Sequence, residues 1–212
     1  MQNGVNMDKK CIISIILICL IITSGLILVD NVERGEIQGE YKILAVLDNT
    51  GISHTFEINL VDGGESIYPD VYNTYHDYNT IEGMNIALEV ANDRTTVCIV
   101  SNYDVYIDLD PNNEYSGIIG PSGTLSYATL LISMIEDKEI CQSTVMTGTL
   151  NVDGDVKEVG SIYQKITGAE ESGYERIIIP EDNNFDVYQD IFEDIEVIGV
   201  DNIDEVIDLV LK

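Results

Sequence analysis

Basic residues, histidine and tryptophan are scarce in this chain, and each scarcity removes a class of function. Ten Lys and Arg stand against 38 Asp and Glu, a formal net charge of -28, and there is no Trp. A surface of that sign repels phosphate backbones and anionic lipid headgroups, so nucleic acid is excluded as a partner. It also reads as a solvated acidic coat that favours solubility. The two histidines, His54 and His76, sit in no motif. A Ser-His-Asp triad would have to draw on one of them, and both read as surface or loop residues. The four cysteines show no metal-ligand spacing: Cys11 and Cys19 lie in an apolar run, while Cys98 and Cys141 read as two small buried thiols. Asp108-Leu-Asp110-Pro-Asn112-Asn-Glu114 begins like a calcium loop, but Asn113 stands where the loop needs glycine and Ile119 where it needs glutamate. A solvated acidic loop is the expectation there, with no metal and no cofactor. No G-x-x-x-x-G-K phosphate loop occurs in the chain.

What is present begins with residues 11–29, CIISIILICLIITSGLILV, without a charge. A run of that length matches the roughly 20 apolar residues that span a bilayer core. Lys9 and Lys10 precede it and Asp30 and Glu33 follow, with Arg34 the one nearby base. The positive-inside bias then leaves the N-terminus cytoplasmic and the remainder outside the cell membrane, as a single-pass protein. A cleaved signal peptide is the competing reading, and Thr23-Ser24-Gly25 followed by Leu-Ile-Leu-Val is a poor cleavage site. The expected organisation is a cytoplasmic tail at 1–10, an anchor at 11–29, a linker at 30–40 and one domain at 41–212.

Within that domain, Tyr41–Leu47 and Thr55–Val61 read as strands, being rich in β-branched and aliphatic residues. The Tyr-rich acidic stretch between Gly63 and Asn79 reads as an exposed loop or irregular edge. Ile81, Met84, Ala87, Leu88 and Ala91 recur at helical spacing. Asp104–Asp110 alternates as a strand, with Val105, Ile107 and Leu109 on one face. Gly120-Pro121-Ser122 opens an apolar helix to about Ile135, since proline fits a first helical turn. A strand over Thr144–Val152, a turn at Asp153-Gly154 and a helix over Ser161–Glu171 follow. Arg176–Ile179 reads as a buried strand, Phe185–Phe192 as a helix and Glu196–Val200 as a strand. The last helix starts at Asn202 with Glu205 three residues on, a capping-box pattern. Helices and strands interleave over the second half, which suggests a layered α/β or α+β domain, and α+β is the expected class.

One serine has a chemical setting. Ser122 stands at a helix start, where unpaired backbone N–H groups and the helix dipole can stabilise an oxyanion. Serine at such a place is commonly a simple cap.

The wider pattern adds to this. Asp104–Lys212 resembles the proteolytic domain of the Lon (S16) family, especially its archaeal membrane-associated branch. Pro121-Ser122-Gly123-Thr124 is similar to the family's nucleophile motif, Met146-Thr147-Gly148 to its M-T-G motif, and Val159-Gly160-Ser161 with Lys165 to its V-G-G-x-x-x-K motif. Lys165 follows Ser122 by 43 residues, the family's spacing, in a chain with five lysines past residue 29. Two positions depart: Gly123 replaces the motif's alanine, and Ser161 replaces the second glycine before the lysine. Both are small, so packing near the site should survive.

The resemblance implies a Lon proteolytic domain-like (ribosomal protein S5 domain 2-like) fold behind one N-terminal transmembrane helix, and a Ser-Lys dyad. Ser122 would be the nucleophile, Lys165 the general base and Thr147 the group that orients Lys165. Gly120, Gly123 and Gly160 would support the site, with amides at Ser122 and in the Gly120-Pro121 turn holding the oxyanion. A serine hydroxyl needs a base, and lysine serves only once burial lowers its pKa. Ile162 and Ile166 flank Lys165 in the sequence. With no phosphate loop, the expected activity is ATP-independent hydrolysis of unfolded proteins or peptides. The resemblance also implies a hexameric ring. The alternatives are a catalytically silent extracytoplasmic module that binds peptides or proteins, and small-molecule kinase chemistry on a related fold, against which the missing phosphate loop counts.

Overall fold

Two long strands joined by a two-residue turn form the first layer. The structure is a computed structural model that describes residues 35–64, 66–69, 78–109, 111 and 120–212. The expected anchor at 11–29 and residues 30–34 of the linker lie outside those residues, and so does His76. Among the described residues no helix is long and apolar enough to cross a membrane.

Strand β1 (Glu36–Leu47) pairs antiparallel with β2 (Thr50–Asp62), from Glu36 opposite Val61 to Leu47 opposite Thr50. The turn residues Asp48 and Asn49 both have positive φ (49° and 67°), the conformation that matches hairpin twist and that Asp and Asn tolerate. The strand therefore starts at Glu36, inside the stretch that reads as linker. Ile37 and Gly39 alternate there with charged and polar residues, and pairing with Glu57–Val61 of β2 makes a strand of a segment with little intrinsic signal.

On the other side of β2 lies β4 (Tyr103–Asp108), antiparallel to it, and β3 (Ile67–Pro69) runs parallel to β4. The sheet order is β1-β2-β4-β3. Val105, Ile107 and Leu109 are buried as the alternation required. Part of the Tyr-rich stretch is thus an edge strand.

Helix α1 (Tyr78–Arg94) buries Thr80, Gly83, Met84, Ala87, Leu88, Val90 and Ala91. Ile81, expected on its apolar face, instead points outward at 39% exposure. The helix begins three residues earlier than the apolar spacing suggested, and its inward face centres on Met84, Ala87 and Ala91. After the short helix α2 (Ile99–Asn102), a 3-10 turn at Pro121–Gly123 leads into α3 (Thr124–Glu136). Every residue from Thr124 to Ser133 is buried, so α3 is the central helix of the core.

The expected strand over Thr144–Val152 is two strands. β5 (Thr144–Met146) pairs parallel with β8 (Arg176–Pro180), whereas β6 (Thr149–Leu150) pairs antiparallel with β7 (Val156–Lys157). At Thr147-Gly148 the chain changes partner: the Thr147 N–H donates to Ile178 O at 3.0 Å and the Gly148 N–H to Ser122 O at 3.0 Å. The residue pattern there is continuously strand-like, and only distant partners interrupt it.

Strand β9 (Glu196–Val200) completes a parallel sheet, β5-β8-β9, with α4 (Ile162–Glu171) and α5 (Phe185–Ile191) in the connections. Parallel strands covered on both faces read as apolar runs, as Ile177-Ile178-Ile179 does. Helix α6 (Ile203–Val210) has the expected capping box, with Asn202 and Glu205 each bonding the other's backbone. The result is a mixed α/β architecture with two apolar clusters. One is built on β1, β2, α1 and α3. The other gathers Leu44, Val145, Ile162, Ile166, Ile177 and Ile179 around α4. Cys98 is exposed and Cys141 half-buried, both as free thiols. The buried place expected for Cys98 is therefore wrong: it stands exposed at the N-cap position of α2, where its Sγ accepts from the Ser101 hydroxyl at 2.7 Å.

Candidate active site

Ser122 occupies the middle of the Pro121–Gly123 turn, half-buried, immediately ahead of α3. Gly120 enters that turn at φ 109°, ψ 155°, a region open essentially to glycine alone. Its N–H donates to the Thr80 hydroxyl oxygen at 2.7 Å. The Gly120 amide is thus committed to α1, and the expectation that it joins an oxyanion hole is corrected on that ground.

On its other flank the turn is held by the break between β5 and β6. The Ser122 carbonyl accepts from the Gly148 N–H at 3.0 Å and from the Thr147 hydroxyl at 3.1 Å. Leu125 N–H returns a bond to Gly148 O at 3.2 Å. The partner switch that the sequence concealed is what brings Thr147 to Ser122.

Lys165 lies on the first turns of α4, at 4% exposure, among the apolar side chains of the second cluster. Its Nζ donates to Thr147 Oγ1 at 3.0 Å. The fully buried Thr147 hydroxyl therefore spends its proton on the Ser122 carbonyl and offers a lone pair to the amine. Burial pulls the Lys165 pKa down from 10.5 to about 8. Among the described residues no hydrogen bond joins Lys165 to the Ser122 hydroxyl; the connection runs through Thr147 to the Ser122 backbone. An amine with a lowered pKa, held two bonds from a helix-start serine, can act as a proton acceptor once a ligand tightens the site.

The helix that carries Lys165 is entered by a tight turn. Ser161 takes the left-handed conformation (φ 57°), which accounts for glycine at that position in the related motif. Gly160 is exposed, with open space around it. Asn183, which sequence reasoning passed over, clamps the turn: its Oδ1 accepts from Val159 N–H at 2.9 Å and its Nδ2 donates to Val159 O at 3.0 Å. Thr80 is the other residue missed. An isolated threonine early in a helix carries no signal until its loop partner is known.

Gly123, the second departure, has a local cause. A Cβ there would lie 2.6 Å from the Tyr127 Oη and 2.7 Å from its ring. Tyr127 is buried and meets Phe56 edge-on with ring centroids 5.0 Å apart. Glycine at 123 leaves the room that this ring fills. His54 is buried on β2 opposite Ile43, so its expected surface place is also corrected: it continues the inward face of Phe56, Ile58 and Leu60. Among the described residues no cluster of His, Cys, Asp or Glu is placed to hold a metal. Residues 110 and 112–114 of the calcium-like stretch lie outside them.

With this geometry in hand, the chain matches a known family. Residues 95–212 match the Lon protease (S16) C-terminal proteolytic domain, more than half of the chain, and the chain belongs to that family. It is 44% identical over 115 residues to an archaeal Lon protease of Archaeoglobus fulgidus, covering 53% of this chain and 18% of the relative. Similar matches are to the archaeal Lon proteases of Pyrococcus abyssi, 40% over 114 residues with 53% and 11% covered, and of Halobacterium salinarum, 41% over 114 residues with 53% and 16% covered. The chain thus spans less than a fifth of the length of these relatives.

Proposed function

We propose that this chain is a membrane-anchored serine endopeptidase that hydrolyses unfolded proteins or peptides without ATP, through a dyad of Ser122 and Lys165. The observation that carries the reading is the buried amine of Lys165, its pKa near 8, held by a threonine that is itself bonded to the nucleophile turn. In the reaction, neutral Lys165 accepts the Ser122 hydroxyl proton as the oxygen attacks the scissile carbonyl. The oxyanion of the tetrahedral intermediate meets the Ser122 N–H at the start of α3, where the helix dipole favours negative charge. Protonated Lys165 then donates to the leaving amine, and water, activated by the same lysine, releases the acyl group. Thr147 fixes the direction of the amine throughout, and apolar Ile162 and Ile166 keep its charged form costly.

The 212 residues hold no phosphate loop, and hydrolysis of unfolded or short substrates asks for none. The apolar run at 11–29 would hold the domain on the outer side of the membrane, and assembly into a hexameric ring belongs to the same proposal.

The test is the pH dependence of kcat/KM, which reports the ionisation of the free enzyme. Only neutral Lys165 works, so activity is lost as pH falls through about 8, the direction set by its lowered pKa. At pH 7 on the order of one site in ten is in the active form. The expected profile rises about tenfold per pH unit below the midpoint and levels above it. A profile flat from about pH 6 to about pH 10 would remove Lys165 as the base.

A further inference from the structure

We infer that Thr80, on the first turn of α1, is a positioning residue for the nucleophile turn, an inference that rests on Ser122 being the nucleophile. The serine is gripped from two sides. The Thr147-Gly148 segment holds its carbonyl, and that segment lies within the stretch that matches the family. The other grip comes from α1, which precedes the matched stretch.

Thr80 Oγ1 accepts the Gly120 N–H at 2.7 Å, a short bond, and Thr80 is 1% exposed, so little water competes for it. Gly120 is the residue whose φ of 109° sets the direction in which the chain enters Pro121-Ser122. Glycine reaches that conformation freely, and equally freely leaves it, so the surroundings must fix it. One turn further along α1, a Cβ at Gly83 would lie 2.6 Å from Thr124 Oγ1 and 3.3 Å from Pro121 Cβ. The helix therefore lies directly against the turn, and Thr80 is the polar anchor of that contact. Thr80 acts on Ser122 through the backbone of Gly120. Without the acceptor, the Gly120 amide would turn to find another, and the turn that presents Ser122 would shift with it.

The experiment uses the full chain and a fluorogenic peptide taken from a cleaved casein site, with Thr80→Val, Thr80→Ser and Ser122→Ala compared. Valine keeps the shape and removes the acceptor; serine keeps the acceptor. Thr80→Val is expected to lower kcat by about 10- to 100-fold, since small misplacements of a reacting group cost that much. KM should stay within about twofold of the parent, because no substrate contact is lost. Thr80→Ser should restore kcat to within about threefold, and labelling of the serine by a fluorophosphonate should slow in step with kcat. If Thr80→Val does not fold, Thr80→Ala takes its place. Parent-like kcat in Thr80→Val, or a loss that serine does not rescue, overturns the inference while Ser122→Ala stays inactive. Failure of both apolar variants to fold while Thr80→Ser folds makes Thr80 structural, and also overturns it. Undiminished cleavage by Ser122→Ala overturns both this inference and the function it rests on.

Discussion

Lys165→Met is expected to lower kcat for peptide hydrolysis on the order of 10⁴-fold while leaving the fold as stable as before or more so. Methionine fills nearly the volume of the lysine stem and carries no proton acceptor of use. The catalytic loss follows from the base being gone. The stability gain follows from linkage. Lys165 has a folded pKa near 8 against 10.5 for the free side chain. Between those values the unfolded chain binds more protons than the folded one, so stability rises with pH across that window, and below about 8 the full cost of burying the cation is present. An apolar side chain at 165 removes that cost at neutral pH. The check is steady-state kinetics together with thermal melting of parent and variant at pH 7. A variant that keeps kcat within about tenfold of the parent would move the base to another group. A variant that melts far lower would mean that the amine holds the fold together and that the lost activity says nothing about catalysis.

The second large effect is on stability. Gly168→Ala should destabilise the domain by about 3 kcal/mol or more. A Cβ at 168 would lie 2.4 Å from the carbonyl carbon of Gly51, and one at Gly51 would lie 1.7 Å from the carbonyl oxygen of Gln164. The atoms in the way are backbone on both sides, so no side chain can swing aside. The tip of the β1–β2 hairpin rests on α4 through this glycine pair, and α4 carries Lys165. Forcing the two apart should therefore also lengthen the 3.0 Å contact from Lys165 to Thr147 and depress activity in the folded fraction. Urea unfolding provides the measurement, with Gly160→Ala as the comparison. Gly160 has open space around it and should change stability by no more than about 0.5 kcal/mol. A Gly168→Ala loss below about 1 kcal/mol would show that the helix and hairpin can separate freely.

Local signals placed much of this fold. Asn202 and Glu205 marked the last helix through the capping box they form, and Pro121 marked the turn ahead of α3. The Ile177–Ile179 run marked the central strand of the parallel sheet. What could not be read was decided by partners far along the chain. Residues 144–152 are uniformly strand-like, yet the pairing with β8 ends after Thr147 because the Gly148 N–H turns to the Ser122 carbonyl. Glu36–Glu40 looks like linker and is strand because β2 is there to pair with it. His54, polar and without a motif, is buried because β2 alternates it onto the inward face. At the candidate site, motif and spacing singled out Ser122, Thr147 and Lys165, and Thr147 bonds both the Lys165 amine and the Ser122 carbonyl. Thr80 and Asn183 were not, because each earns its place through a bond to a loop backbone and through nothing in its own neighbourhood. The departures at Gly123 and Ser161 also acquire reasons only in three dimensions: one makes room for Tyr127, and the other bears a left-handed backbone.

The most direct measurement is degradation of unfolded casein by the full chain, without nucleotide, beside the same chain carrying Ser122→Ala. Fragments from the parent and none from the variant, unchanged on adding ATP, are the expected result. Fragments from both would take the nucleophile away from Ser122, and fragments from neither would leave a domain that binds chains without cutting them.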